Sequence, residues 1–388
     1  MDELLATIRQ RRALSKKWHR YAHDIAPAWV ADMDLPLAPC IQEAIIRATQ
    51  ASDLGYSSDA LQAHYVDALN AWTERNYSTS YPVEEMQVIS DVVQGIALSL
   101  QSQLQPGDPL LVLTPSYPPF FQVARELSLK LVTSELLMRE GRYEVDFNDL
   151  ERAMTAARGG ALLLCQPHNP TGRVFTRAEL QEITSLALRN DMIIVSDEIH
   201  RDLCYTPYQH LPVRTISDDV AAKTITLLSA SKTFNIAGLA AAALHIPTGM
   251  RIGRGNVVSP MLLAHPSILG LLGGAVAFEE GAAWLESTKK TLSYNRELTR
   301  SWSLTRPEIE YATPEATYLA WFKVKALNTT ESLWTYLYRK AHVALGDGQD
   351  YLPGSNEYVR LNFATETALL EKVLEQLTQA LDEPASSS

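Results

Sequence analysis

A run of apolar and β-branched residues, Thr224 to Leu228, leads into Ser229-Ala230-Ser231 and then into Lys232. The run reads as a buried strand and the small residues as the turn at its C-terminal end. A lysine placed there is costly unless its charge is tuned or used. Desolvation favours the neutral amine, and a neutral amine can form an imine with an aldehyde. The plainer reading is a strand-end lysine that reaches solvent. Four other polar stretches bear on the choice. Ser196-Asp197-Glu198-Ile199-His200 ends a second strand, where the carboxylate could ligate a metal, cap a helix or pair with a buried cation. Gln166 to Gly172 ends a third, and its Asn169-Pro170-Thr171-Gly172 could be only a turn. Thr114-Pro115-Ser116-Tyr117-Pro118 ends a fourth with an aromatic. Asp91-Val92-Val93-Gln94-Gly95 opens a helix whose first free amides could hold a phosphate.

These stretches fall at the ends of alternating elements. From Gln87 onward, short apolar runs (Gln87–Ser90, Pro109–Thr114, Lys130–Leu137, Ala161–Cys165, Met192–Ser196, Thr224–Leu228, Ala241–Ile246) alternate with amphipathic segments. The segments are Val93–Gln105, Pro118–Leu129, Asp146–Ala157 and a helix to Arg189, capped by Thr176 with Glu179 as its box partner. This is an α/β pattern. It implies a mostly parallel sheet covered by helices on both faces, which binds ligands at the C-terminal strand ends. A long helix is expected over Ala282–Ser303, strands over Thr317–Val324 and Tyr358–Phe363, and helices near Glu331–Ala341 and Thr365–Leu381. Together they make a second, smaller α+β layer. The expected division is an N-terminal arm with part of the small domain over 1–45, a large domain over 46–285, a C-terminal small domain over 286–382 and a disordered tail over 383–388. Residues 1–24 read as a polar, basic-aromatic arm rather than a core element.

Composition narrows the function classes. The chain has 388 residues, 46% hydrophobic and 20% charged, with net charge −11 and no basic run. That argues against nucleic acid and anionic membrane surfaces. No apolar stretch approaches the ~20 residues needed to span a bilayer, and Met1-Asp2-Glu3-Leu4-Leu5 lacks the features of a signal peptide. Cys40, Cys165 and Cys204 are widely spaced and read as reduced thiols, Cys165 as core packing, so the expected location is cytoplasmic. No Cys/His spacing suggests a metal.

Taken together, an imine-forming lysine, an acid able to pair a pyridinium nitrogen, an amide, a flat aromatic and a phosphate-ready helix start suit pyridoxal 5′-phosphate (PLP). The order Asn169, Asp197, Lys232, Arg360 resembles the fold-type I PLP enzymes, the aspartate aminotransferase superfamily, over nearly the whole chain. Trp29-Val-Ala-Asp-Met-Asp34, Gly55-Tyr56-Ser57, Asp197-Glu-Ile-His200, Ser229 to Ile236 and Ala316-Thr-Tyr-Leu-Ala-Trp321 resemble the MalY/PatB-type cystathionine β-lyases, or C–S lyases. Many class I aminotransferases carry a phosphate-gripping arginine eight residues past the lysine. Here that position is Ala240, as in the C–S lyase group, and His200 replaces a tyrosine common in aminotransferases.

The resemblance implies the following roles. Lys232 holds the cofactor, is displaced by the substrate amine and then moves the Cα proton. Asp197 keeps the pyridine nitrogen protonated, and the buried cation depresses the Asp197 pKa. Asn169, with His200, positions the phenolic-oxygen side of the ring. Tyr117 stacks on the ring and helps activate the substrate. The Val93 and Gln94 amides, Ser229 and Ser231 hold the phosphate. Tyr56 reaches the phosphate of a neighbouring subunit, which makes the protein a homodimer with shared sites. Arg360 and Asn169 bind the substrate carboxylate, and Asp32 and Met33 line the substrate entrance.

Two departures from the family pattern stand out. Val343 to Gly348 replaces a proline- or asparagine-glycine loop that borders the substrate, and Asp91 stands where a glycine is common before the phosphate helix. The expected activity is β-elimination of an L-cysteine S-conjugate or cystathionine to thiol, pyruvate and ammonia. The alternatives are an aminotransferase, or a natural-product pathway enzyme that processes a cysteine S-conjugate by decarboxylation or oxidative deamination. A further one is a regulatory protein that keeps the fold and binds a transcription factor.

Overall fold

The computed structural model describes residues 2–250, 265–325 and 331–382. The expected tail, 383–388, lies outside the described residues. In chain order the strands are β1 (Ala26–Pro27), β2 (Met86–Ile89), β3 (Pro109–Thr114), β4 (Lys130–Arg139), β5 (Arg142–Val145), β6 (Ala161–Cys165) and β7 (Ile193–Asp197). They continue with β8 (Thr224–Leu228), β9 (Ala242–His245), β10 (Ile309–Tyr311), β11 (Leu319–Val324), β12 (Val343–Ala344), β13 (Gly346–Asp347) and β14 (Tyr358–Asn362). The large sheet runs β2-β9-β8-β7-β6-β3-β4-β5. Its centre, β8 through β4, is parallel, while β9 pairs antiparallel with both β8 and β2, and β5 with β4.

The near-continuous apolar runs of β6 and β8 follow from burial on both faces. Side chains alternate across the pleat. Leu162 and Leu164 join a core with Leu150, Met154, Leu180 and Ile183 from the helices Phe147–Ala156 and Arg177–Arg189. Leu163 and Cys165 join the opposite core with Ile96, Leu100, Phe120 and Val123 from the helices Val92–Gln103 and Pro118–Glu126. Thr176 and Glu179 form the expected reciprocal cap.

The smaller antiparallel sheet runs β10-β11-β14-β13, with Trp321 opposite Arg360. The helices Ala282–Leu304, Leu333–Ala341 and Thr367–Asp382 contribute Leu292, Leu337 and Leu370 to the core that this sheet shares. β1 pairs with β12 and so ties the N-terminal segment to this layer.

Three expectations need correction. Residues before 24 are not a detached arm: they form the helices Asp2–Arg11 and Lys16–His19, and Leu5, Ile8 and Trp18 lie in the main core. The buried Lys17 ammonium pairs with Asp34 at 2.7 Å, and the Trp18 indole donates to the same carboxylate. A buried lysine reads as a surface residue until its partner is known. The strand expected over Lys130–Leu137 runs on to Arg139 as β4 and turns through Glu140-Gly141, both at positive φ, into β5, which is not among the expected elements because the turn carries no Asn-Gly signal. The helix from Pro118 stops at Glu126, since Ser128 adopts φ 55°.

Candidate active site

One cavity of about 670 Å³ opens where the C-terminal ends of β6, β7 and β8 meet the small sheet and the segment Trp29–Ala31. Tyr117, Asn169, Asp197, His200, Ser229, Ser231, Lys232, Val93 and Arg360 all line it. The topology explains the convergence. Asn169, Asp197 and Lys232 follow neighbouring parallel strands, so each turn delivers its polar residue to the same sheet edge. Two glycines make close approaches possible. A side chain at Gly95 would meet Leu227 Cδ2 at 2.3 Å, so glycine lets the helix Val92–Gln103 lie on β8. Gly172, at φ 70°, turns the chain after Asn169, where a Cβ would meet Pro314 at 2.3 Å.

Lys232 donates from Nζ to the Ala31 carbonyl at 2.8 Å. Burial and the Arg360 guanidinium lower its pKa to about 8, against the opposing pull of Asp32 and Asp197. Asp197 accepts from the Ile199 amide at 3.1 Å. Burial raises its pKa to about 7, helped by Glu198 and opposed by that amide and by Lys232. The expected depression therefore does not arise from the chain's own groups. A buried carboxylate in this condition favours a cation at its free oxygen. His200 is buried and neutral, its pKa lowered to about 3 by burial and by Lys232 and Arg360. Burial pushes the Tyr117 phenol up to about 12. Tyr117 sits at the start of the helix Pro118–Glu126, its ring edge-on to Phe120. Arg360 donates to Asn169 Oδ1 at 3.0 Å and to the Trp29 carbonyl at 2.7 Å.

Four expected residues lie differently from the rest. Asp32 and Met33 are not among the cavity-lining residues: Asp32 accepts from Ser15, and the Met33 backbone is clasped by Asn235. The Ala31 carbonyl faces Lys232 in their place. The Gln94 amide donates to Asp91 Oδ1 at 2.9 Å, and Gln94 is not among the cavity-lining residues. Tyr56 is fully exposed and outside the cavity. Ser229 donates to the Ala241 carbonyl and accepts from the Ser231 amide.

The cavity also gathers residues not named among the expected site residues, of which only Trp29, in the Trp29–Asp34 stretch, and Asp347, in the Val343–Gly348 loop, lie in segments the sequence marked. Lys16, Arg20, Tyr21 and Trp29 come from the N-terminal segment, and Trp334, Asp347, Asp350 and Tyr351 from the small layer. Arg20 stacks 4.5 Å from the Trp29 ring, and Tyr351 lies 4.7 Å from the Arg360 guanidinium. For the others, only the aromatic content of their stretches, as at Tyr21, Trp334 and Tyr351, could have marked them.

The donor set fits a flat, anionic, cation-bearing ring. His200 Nδ1 and Arg360 Nε are buried without a partner, Asp197 favours a cation, and serines and helix amides gather beside Lys232.

A model of the family described as aminotransferase class I and II matches residues 30–377. The cystathionine β-lyase of Corynebacterium glutamicum is 31% identical, covering 97% of this chain and 99% of that protein. The cystathionine β-lyase PatB of Bacillus subtilis is 30% identical, covering 95% and 96%. The PLP-bound C–S lyase from Staphylococcus hominis superposes with a TM-score of 0.89 at 27% identity, covering 97% and 98%.

Proposed function

The chain belongs to the aminotransferase class I and II family, and we propose that within it this protein is a PLP-dependent C–S lyase. Its substrate is an amino acid, an L-cysteine S-conjugate or cystathionine, cleaved to thiol, pyruvate and ammonia. The observation that carries this reading is Lys232, an amine lowered to about 8 in the cavity that also holds Asp197, Asn169 and Arg360.

PLP, when bound, withdraws electrons from the substrate Cα and so makes its proton removable. Asp197 would pair with the ring nitrogen and favour its protonated form. Asn169 and the neutral His200 would hold the phenolic-oxygen side, and Tyr117 would stack on the ring. Ser229, Ser231 and the Val93 amide would hold the phosphate. Arg360 offers the substrate carboxylate a planar, two-pronged donor. Lys232 takes the Cα proton. The Cα–H bond breaks, its electron pair becomes the Cα–Cβ double bond as the thiolate leaves Cβ, a proton returns to sulfur, and water hydrolyses the released 2-aminoacrylate to pyruvate and ammonia. A pKa near 8 leaves a usable share of neutral amine at neutral pH.

Ala240, in place of a phosphate-gripping arginine, and His200 favour elimination over transamination. The exposed Tyr56, with Ile46 and Leu54 also exposed nearby in sequence, supports a homodimer in which Tyr56 completes the partner's phosphate site. The three free cysteines support a cytoplasmic setting. Among the described residues no single helix is long and apolar enough to cross a membrane.

The test is to mix the protein with PLP and L-cystathionine and to follow absorbance, pyruvate and thiol. Equimolar pyruvate and thiol, lost in Lys232→Ala, is the expected result. Turnover only with an added 2-oxo acid, and no thiol, would replace the lyase with an aminotransferase.

A further inference from the structure

We propose that Asp91 is a built-in competitor for the cofactor's phosphate, a carboxylate that selectively weakens PLP binding through that group. The inference rests on the PLP reading above.

The helix Val92–Gln103 begins at the cavity, and its first amides carry the positive end of the helix dipole. Asp91 is its N-cap. One carboxylate oxygen accepts from the Gln94 amide at 2.9 Å, and the other accepts from the Ser90 hydroxyl at 3.2 Å. Ser90, Asp91, Val92 and Val93 all line the cavity, beside Ser229 and Ser231. The Asp91 carboxylate thus occupies the third amide of this helix start, next to the Val93 amide that a phosphate would use.

Among the described residues Asp91 forms no ion pair, and the cations that line the cavity make their contacts to other groups. Arg360 is bonded to Asn169 and the Trp29 carbonyl, Arg20 and Lys16 lie over the Trp29 ring, and Lys232 points to the Ala31 carbonyl. The position eight past Lys232 is Ala240. The phosphate end is thus hydroxyls, amides and one fixed negative charge. The rest of the cavity is short of a partner instead, with His200 Nδ1 and Arg360 Nε buried and unsatisfied. A phosphate carries about −1.5 to −2 at neutral pH. Placed beside Asp91 it meets like-charge repulsion, and to use the Gln94 amide it must displace the Asp91 oxygen.

Asp91→Asn separates charge from structure. Asparagine caps helices as well as aspartate does and still accepts from the Gln94 amide. The full chain is stripped of cofactor with an amine, then titrated by absorbance with PLP and, separately, with pyridoxal, which lacks the phosphate. The expected result is a PLP Kd on the order of tenfold lower in Asp91→Asn at low salt, the size of a like-charge contact in water. The gain should shrink toward 1 M salt, and the pyridoxal Kd should stay within about twofold, since no charge contact is removed. A PLP Kd that is unchanged or higher overturns the proposal, as does an equal gain for pyridoxal. If wild type shows no saturable change with either aldehyde, the cofactor reading itself fails, a result separate from equal binding by the two proteins.

Discussion

Arg360 donates from Nη1 to Asn169 Oδ1 at 3.0 Å, and the bond ties the small sheet to the turn after β6 in the large one. The guanidinium is fixed on further sides by the Trp29 carbonyl at 2.7 Å and by the Tyr351 ring. Arg360 is therefore positioned before any substrate arrives, with little ordering left to do on binding.

Arg360→Lys tests that arrangement. Lysine keeps the charge but loses the fork, the Asn169 contact geometry and the stacking on Tyr351. The expected kcat/KM for β-elimination falls by about 100-fold, mostly through KM, as removal of ground-state carboxylate binding requires. Pyruvate release across substrate concentrations gives the split. A loss confined to kcat would count against a carboxylate-binding Arg360.

The Lys232 pKa sets a pH dependence with a definite sign. Lowering it to about 8 means the ammonium gives up its proton at lower pH than an ordinary lysine. The rate at which cofactor-free protein takes up PLP should climb with pH, then level off above about 8. An unperturbed lysine would continue to gain toward ~10.4. Stopped-flow absorbance from pH 6 to 10 measures the curve. Lys232→Ala should show no lysine-bound band at any pH, and a plateau only near 10 would contradict the buried, Arg360-facing environment.

The strand ends were legible because each combines an apolar run with an abrupt polar turn. β3, β6 and β8 occupy the expected residues, and their turns bring Tyr117, Asn169 and Lys232 to one cavity. What was not legible depends on contacts distant in sequence. Lys17 is a buried ion-pair member only because Asp34 folds over it. Tyr351 and Trp334 reach the cavity only because the small sheet closes on the large one. The Asp91 cap was visible as a departure from a common glycine, but its hold on the Gln94 amide is a matter of side-chain geometry.

Tyr56 gives a test of shared sites. Its side chain is fully exposed and outside its own cavity. If it serves a partner, Tyr56→Ala and Lys232→Ala subunits should each be impaired alone and complement when mixed. Random pairing makes about half of the dimers mixed, each with one intact site, so about a quarter of wild-type activity should return. Pyruvate assays after co-refolding give the answer. Activity equal to the sum of the two separate variants would place Tyr56 outside any shared site.

Asp34 holds the N-terminal segment in place, and that segment walls the cavity. Its two oxygens accept from the Lys17 ammonium and the Trp18 indole, both at 2.7 Å, with all three side chains buried. Asp34→Ala leaves a buried ammonium without a counter-ion and should cost about 3–5 kcal/mol. Asp34→Asn keeps one acceptor for the indole but not the charge, and should fall between wild type and alanine. Lys17→Met combined with Asp34→Leu removes both charges and should recover much of the loss, because a buried ion pair is often no better than apolar packing of similar volume. Urea unfolding of cofactor-free protein at one fixed concentration measures all four, since partner binding also shifts the midpoint. Residues 29–31 lie just before Asp34, and the Ala31 carbonyl accepts from Lys232. Loosening Asp34 should therefore also slow PLP uptake at pH values where stability alone is no longer limiting. Asp34→Ala with wild-type stability would mean that Lys17 finds water on its own and that the segment is held by Leu5, Ile8 and Trp18 packing instead.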